Sequence, residues 1–261
     1  MNNALERLKQ SERALDAERR LLNEALTSLD ETEKRSVARL NATRAGRLIF
    51  GLDLTGSREP GLKQARIATA AMFDAIRNFG RIEVKLVYYR GSRECRESSW
   101  CADADVLRRS MLKLSCERGG TQIAKLLRLV LAQNEKLSAV VFVGDHCEDA
   151  EDELVQLAGK LGEKHIPLFM FHECADYDDR SLVAQPVFKR MAELSGGVYV
   201  EFKPDSGDVL REMLSSIAAF SAGGIEAVER MAPQTTQAMQ LRGHLRLMLG
   251  SGGGGTDRSG Y

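Results

Sequence analysis

An α/β domain with a mostly parallel central sheet is the fold class predicted by three features of this sequence. Short apolar runs at 48–52 (LIFGL) and 139–143 (AVVFV) are too short for helices and suit strands buried on both faces. Stretches with apolar residues at helical spacing separate such runs, so strand and helix alternate along the chain. Two of the runs end at an acidic residue: Asp53 directly, and Asp145 after Gly144.

Residues 1–41 contain neither Gly nor Pro and are dense in Glu, Arg, Leu and Ala, so a single long helix is expected there. Leu5, Leu8, Leu15, Leu22, Leu26, Leu29 and Leu40 lie on a heptad-type seam, interrupted by Glu12, Arg19, Glu33 and Ser36. The expectation is an N-terminal coiled coil over 1–45 that joins copies into a homo-oligomer or docks a partner. A helix folded back on its own domain is the alternative reading.

The domain proper is expected over 46–221. Pro60 near a helix start, followed by Leu62, Ala65, Thr69, Met72, Ile76 and Phe79 and closed by Gly80, predicts a helix after the first strand. IEVKLVYY at 82–89 alternates as a strand, and Arg90-Gly91-Ser92 turns the chain into a short antiparallel edge strand near 94–100. A helix is expected near 105–116. Gly119-Gly120-Thr121 then opens another, lined by Ile123, Leu126, Leu127, Val130 and Leu131.

After the 139–143 strand, Leu154, Val155, Ala158 and Leu161 mark a helix, and IPLFMFH at 166–172 a further strand. Residues 187–194, 198–202 and 209–220 read as helix, strand and closing helix. The predicted architecture has three layers, with helices on both faces of the sheet. Residues 222–249 are expected as a partly helical extension, and the Gly-rich 250–261 as a disordered tail.

Composition narrows the function classes. Lys plus Arg and Asp plus Glu each total 37, so no net field draws the chain to nucleic acid or an anionic membrane. The charged N-terminus lacks the apolar core of a secretory signal, and no run is long enough to span a bilayer. Five cysteines, at 95, 101, 116, 147 and 174, show no paired spacing, which suits a reducing, cytoplasmic setting.

In open α/β sheets the ligand sits beyond the carboxyl ends of the central strands. Three loops should meet there, carrying Asp53-Leu54-Thr55-Gly56-Ser57, Gly119-Gly120-Thr121 and Gly144-Asp145. The candidate ligands Asp53, Thr55, Ser57, Thr121 and Asp145 are all oxygen donors. Hard oxygen donors favour Mg²⁺, with Mn²⁺ second.

This arrangement resembles the metal-ion-dependent adhesion site (MIDAS) of von Willebrand factor A (vWA) domains. Their pattern is D-x-S-x-S, then a loop threonine, then an aspartate ending the next core strand. Asp53 matches the first acid, Thr55 and Ser57 the hydroxyls, Thr121 the threonine and Asp145 the last acid. Thr55 stands where the pattern has serine, and His146 where glycine is common. The resemblance covers 46–221 and implies a Rossmann-like three-layer vWA domain, preceded by the long N-terminal coiled-coil helix. It further implies a non-enzymatic adaptor or scaffold whose bound cation takes an Asp or Glu of a protein partner.

Two other readings use the same residues. LIFGLDLT and GDHCED resemble the hhhhDxDxT and GDxxxD motifs of haloacid-dehalogenase-type phosphatases, with Asp53 as nucleophile and Asp145 and Asp149 as later acids. In that reading the acid/base position falls on Thr55, which does not transfer protons at neutral pH. His146, Cys147, His172 and Cys174 offer nitrogen and sulfur donors for zinc, but lack the C-x₂-C type of spacing.

Overall fold

The computed structural model describes residues 45–59, 62–63, 81–174, 179–203, 207–230, 239–244 and 246. The expected N-terminal helix and the Gly-rich tail lie outside them. So does the helix expected from about 60 to 79, apart from helical Leu62 and Lys63.

Six strands form one sheet: β1 (Gly46–Asp53), β2 (Ile82–Arg90), β3 (Glu94–Glu97), β4 (Ala139–Gly144), β5 (Leu168–Glu173) and β6 (Tyr199–Phe202). Their spatial order is β3-β2-β1-β4-β5-β6. All neighbours are parallel except β3, which returns antiparallel on β2 as the sequence predicts. The chain builds outward from β1 to β3 and then crosses back to place β4 on the other side of β1. The carboxyl ends of β1 and β4 therefore flank the switch point, where the loops diverge and leave a crevice.

Successive strand residues point to opposite faces, and both faces are covered. Leu48, Phe50 and Leu52 of β1 join Val84, Val141, Val143, Phe169 and Phe171 in one core. Helix α1 (Ala104–Leu112) contributes Leu107 and Met111 there, and the C-terminal helix α5 (Gly207–Arg230) contributes Leu210, Leu214 and Ile217. Ile49, Val87, Val140, Phe142 and Met170 face the other core. It is roofed by α2 (Ile123–Leu131), α3 (Glu151–Glu163) and α4 (Asp179–Ser195) through Leu126, Leu127, Leu154, Leu161, Phe188 and Met191.

Two boundaries differ from the sequence reading. Helix α4 begins well before residue 187 and carries Pro186 inside it. A proline lacks a backbone donor and normally marks a helix start, and Leu182 and Val183 ahead of it are exposed and give no amphipathic signal. At the C-terminus α5 continues past Ser221, and its geometry breaks at Gly223 and Gly224, the latter at φ 68°. A positive φ there turns the chain at little steric cost, and Ala227, Val228 and Leu241 return to the first core. Among the described residues no helix is long and apolar enough to cross a membrane.

Candidate functional site

The first loop is built from its own sequence. Asp53 is the last residue of β1, and its Oδ1 accepts the backbone N–H of Thr55 at 2.8 Å, a turn to which aspartate is suited. Gly56–Arg58 then forms a 3-10 turn closed by the Arg58 N–H on the Thr55 carbonyl at 3.0 Å. The turn brings the Thr55 and Ser57 hydroxyls within 3.3 Å of each other.

The second loop is tied to the first by backbone: Glu117 N–H donates to the Leu54 carbonyl at 2.9 Å. Gly119 is required by close approach, since a Cβ there would lie 2.0 Å from the Gly91 carbonyl oxygen. Thr121 follows just before α2. Its hydroxyl donates to Asp149 Oδ2 at 2.8 Å and accepts the Glu148 N–H at 2.7 Å. With the proton directed to Asp149, one lone pair of the Thr121 oxygen remains for another partner.

The third loop follows β4. Asp145 is buried, and its Oδ2 lies 3.2 Å from His146 Nδ1. The backbone carbonyl of Asp145 accepts from His172 Nε2 at 3.0 Å, which fixes the proton on that nitrogen. His172 Nδ1 is then an acceptor and takes the Tyr199 hydroxyl at 2.8 Å.

These loops enclose an open hollow of about 410 Å³ lined by Thr55, Gly56, Ser57, Arg118, Gly119, Thr121, His146 and Glu148. The three predicted hydroxyl residues thus share one lining. Asp53 does not line it and is 1% exposed; Asp145 is 7% exposed, also outside the lining. Among the described residues Asp53 Oδ2 and Asp145 Oδ1 are buried with no aligned hydrogen-bond partner, although the Tyr89 hydroxyl neighbours the first carboxylate and Ser57 the second. Unpaired buried carboxylate oxygens are costly, and a cation relieves them. By that criterion the five residues fit a hard divalent ion. Among the described residues no three His, Cys, Asp or Glu side chains converge as ligands, so any ion here would lean on hydroxyls or bridging waters.

The pKa values of the two aspartates are shifted in opposite directions. Burial, reinforced by the charge of Asp145, raises the Asp53 pKa to about 6. Burial acts the same way on Asp145, but the His146 contact, Arg58 and Ser57 outweigh it and hold that carboxyl below its usual value. Burial also lifts the fully buried Tyr89 phenol, whose charged form would lie beside Asp53.

Four contributors were not among the cation ligands expected from the sequence, although Asp149 stood there as an acid of the phosphatase reading. Asp149 accepts from Ile123 N–H at 3.0 Å and Ala124 N–H at 3.1 Å, so it caps α2 from another loop while orienting Thr121. Arg58, 1% exposed, forms an ion pair with buried Glu173 at the end of β5. Tyr89 underlies Asp53. Asp149 was signalled by the GDHCED run; for the others the signal was position, since Arg58 directly follows the hydroxyl motif and Glu173 closes an apolar strand.

For the zinc reading, both nitrogens of His172 are engaged, and among the described residues no three His, Cys, Asp or Glu side chains converge as ligands.

No protein-family model matches the sequence, and no curated protein matches it. Solved structures do match the fold. A von Willebrand factor type A structure from Catenulispora acidiphila superposes with a TM-score of 0.54 at 14% identity, over 68% of this chain and 42% of that one. An aerotolerance-related membrane protein from Bacteroides fragilis gives 0.52 at 14% identity, over 67% and 98%. The pilus adhesin SpaC from Lactobacillus rhamnosus GG gives 0.54 at 11% identity, over 68% and 30%. The match thus spans less than half of the first of these structures and less than a third of the adhesin. The fold is the three-layer α/β fold of von Willebrand factor A domains, with a six-stranded sheet and one antiparallel edge strand.

Proposed function

We propose that this chain is a non-enzymatic binding module whose divalent cation, Mg²⁺ or Mn²⁺, is held by Thr55, Ser57 and Thr121 above Asp53 and Asp145. When bound, the ion supplies an open coordination position of positive charge that takes a carboxylate. The partner is a protein presenting an Asp or Glu side chain at the hollow. One observation carries the reading: two buried carboxylates with unpaired oxygens lie beside three hydroxyls that share one open lining. The similarity to an adhesin fold supports a role in protein association.

Each residue has a separate task. Asp53 and Asp145 supply the negative charge, and Asp53 also fixes the Thr55 amide. Asp149 accepts the Thr121 hydroxyl hydrogen bond, which leaves a lone pair of the threonine oxygen for a cation. His172 anchors the backbone of Asp145. The N-terminal seam would join copies of the module, and five cysteines without paired spacing suit a cytoplasmic setting.

The phosphatase reading loses support from the same geometry. A phosphorylated nucleophile needs access, but Asp53 is 1% exposed with Oδ1 committed to Thr55. Asp149, the would-be later acid, is occupied by the end of α2 and by Thr121.

Calorimetric titration of Mg²⁺ and Mn²⁺ into wild type, Asp53→Ala and Ser57→Ala tests the proposal, with circular dichroism confirming the fold. Asp53→Ala should lose cation uptake and cation-dependent partner capture altogether, and Ser57→Ala should lose less. A folded Asp53→Ala that binds cation and partner like wild type would show these loops to be polar caps only. Magnesium-dependent release of phosphate from generic esters, abolished by Asp53→Asn, would favour the phosphatase.

A further inference from the structure

Among the described residues Arg58 is the largest fully buried side chain, although its neighbours Gly56 and Ser57 are exposed. A guanidinium is seldom buried this completely unless it is paired. Its partner is Glu173, 5% exposed, at the carboxyl end of β5. Since β4 lies between β1 and β5, the ion pair ties the loop after β1 to the end of a strand two places away, on the order of 10 Å at ordinary strand spacing.

The backbone end of this arginine belongs to the 3-10 turn that carries the site hydroxyls. That turn is fastened at its start by the Thr55 N–H on Asp53 and at its end by the Arg58 side chain. Fold stability alone does not account for the pair, because apolar residues of similar volume commonly replace a buried ion pair without loss. Nor is it a fully satisfied network: among the described residues Arg58 Nε has no acceptor. What the pair supplies is a fixed direction for the turn.

We propose that the Arg58–Glu173 ion pair is a buried strap that positions the Thr55 and Ser57 hydroxyls for the cation. This rests on the cation reading above. Both are positioning residues: neither lines the hollow, and they act through the turn.

The test compares the full chain with Arg58→Met/Glu173→Leu, which removes both charges and leaves the net charge of the site unchanged. Mn²⁺ binding is followed by water-proton relaxation, and amide exchange at residues 55–58 by mass spectrometry. The double variant should stay folded with unchanged circular dichroism, bind Mn²⁺ at least tenfold more weakly, and exchange those amides at least tenfold faster. Affinity within twofold of wild type, or unchanged exchange, overturns the strap. If the wild type takes up no Mn²⁺, the cation reading fails and exchange alone decides: acceleration supports the strap, no change overturns it. Arg58→Lys, which keeps the charge but not the planar fork, covers the case in which the double variant does not fold. It should show several-fold losses of the same kind, and no change in either readout overturns the proposal.

Discussion

Replacing Asp53 by asparagine in cation-free protein should stabilise the fold, and the size of the effect follows from the site. The Asp53 carboxyl has its pKa raised from 3.8 to about 6 by burial and by Asp145. Each pKa unit corresponds to about 1.4 kcal/mol, so the ionised carboxylate costs the folded state about 3 kcal/mol at neutral pH. Because the folded value lies above the unfolded one, the stability tied to Asp53 is fully present below about pH 4 and is lost as pH rises to about 6. Asparagine keeps an oxygen for the Thr55 N–H and has no charge to desolvate. In chelator at pH 8 the variant should melt about 6 to 12 °C above wild type, given about 2 to 4 °C per kcal/mol for a domain of this size. The difference should vanish at pH 4. Mg²⁺ at 100 times its dissociation constant should return about 2.7 kcal/mol to wild type and nothing to the variant. Thermal melts across pH 4–8, with and without Mg²⁺, provide the measurement. A melting difference that is absent at pH 8, or constant across the range, would refute the electrostatic account of Asp53.

Asp149→Ala should cost about 2 kcal/mol in urea denaturation, through lost capping of α2 at Ile123 and Ala124, and should weaken Mn²⁺ binding by releasing Thr121. Unchanged stability would mean that the cap is replaced by water. Deleting residues 1–45 should lower the mass measured by light scattering from an oligomer to a monomer; equal oligomeric states for the two chains would remove the coiled coil from the assembly.

The sheet was legible because its information is local. Leu48 to Leu52 and Ala139 to Val143 are apolar on both faces and too short for anything but buried strands, and the structure buries all of them. The positions of Asp53 and Asp145 were legible for the same reason: each comes at the carboxyl end of a buried central strand. The spacing of Thr55 and Ser57 then places two hydroxyls on one turn. Pro186 misled because it is a local break signal that the surrounding packing overrides, whereas the Gly223-Gly224 pair does break the helix.

What escaped the sequence lies across strands rather than along them. Asp149 looks like a member of an acid motif after β4, but its carboxylate serves the start of a helix more than twenty residues earlier. Glu173 closes an apolar run and gives no hint that an arginine from the first loop reaches it. Only the order β1-β4-β5 makes that pairing possible, because it stacks the ends of three strands distant in sequence along one edge. Once the order is known, a buried arginine following a hydroxyl motif has few places to send its charge, and Glu173 is the carboxylate that β5 delivers to that edge. Spacing along the chain therefore identifies the groups that line the hollow, whereas the sheet order identifies the groups that hold them in place.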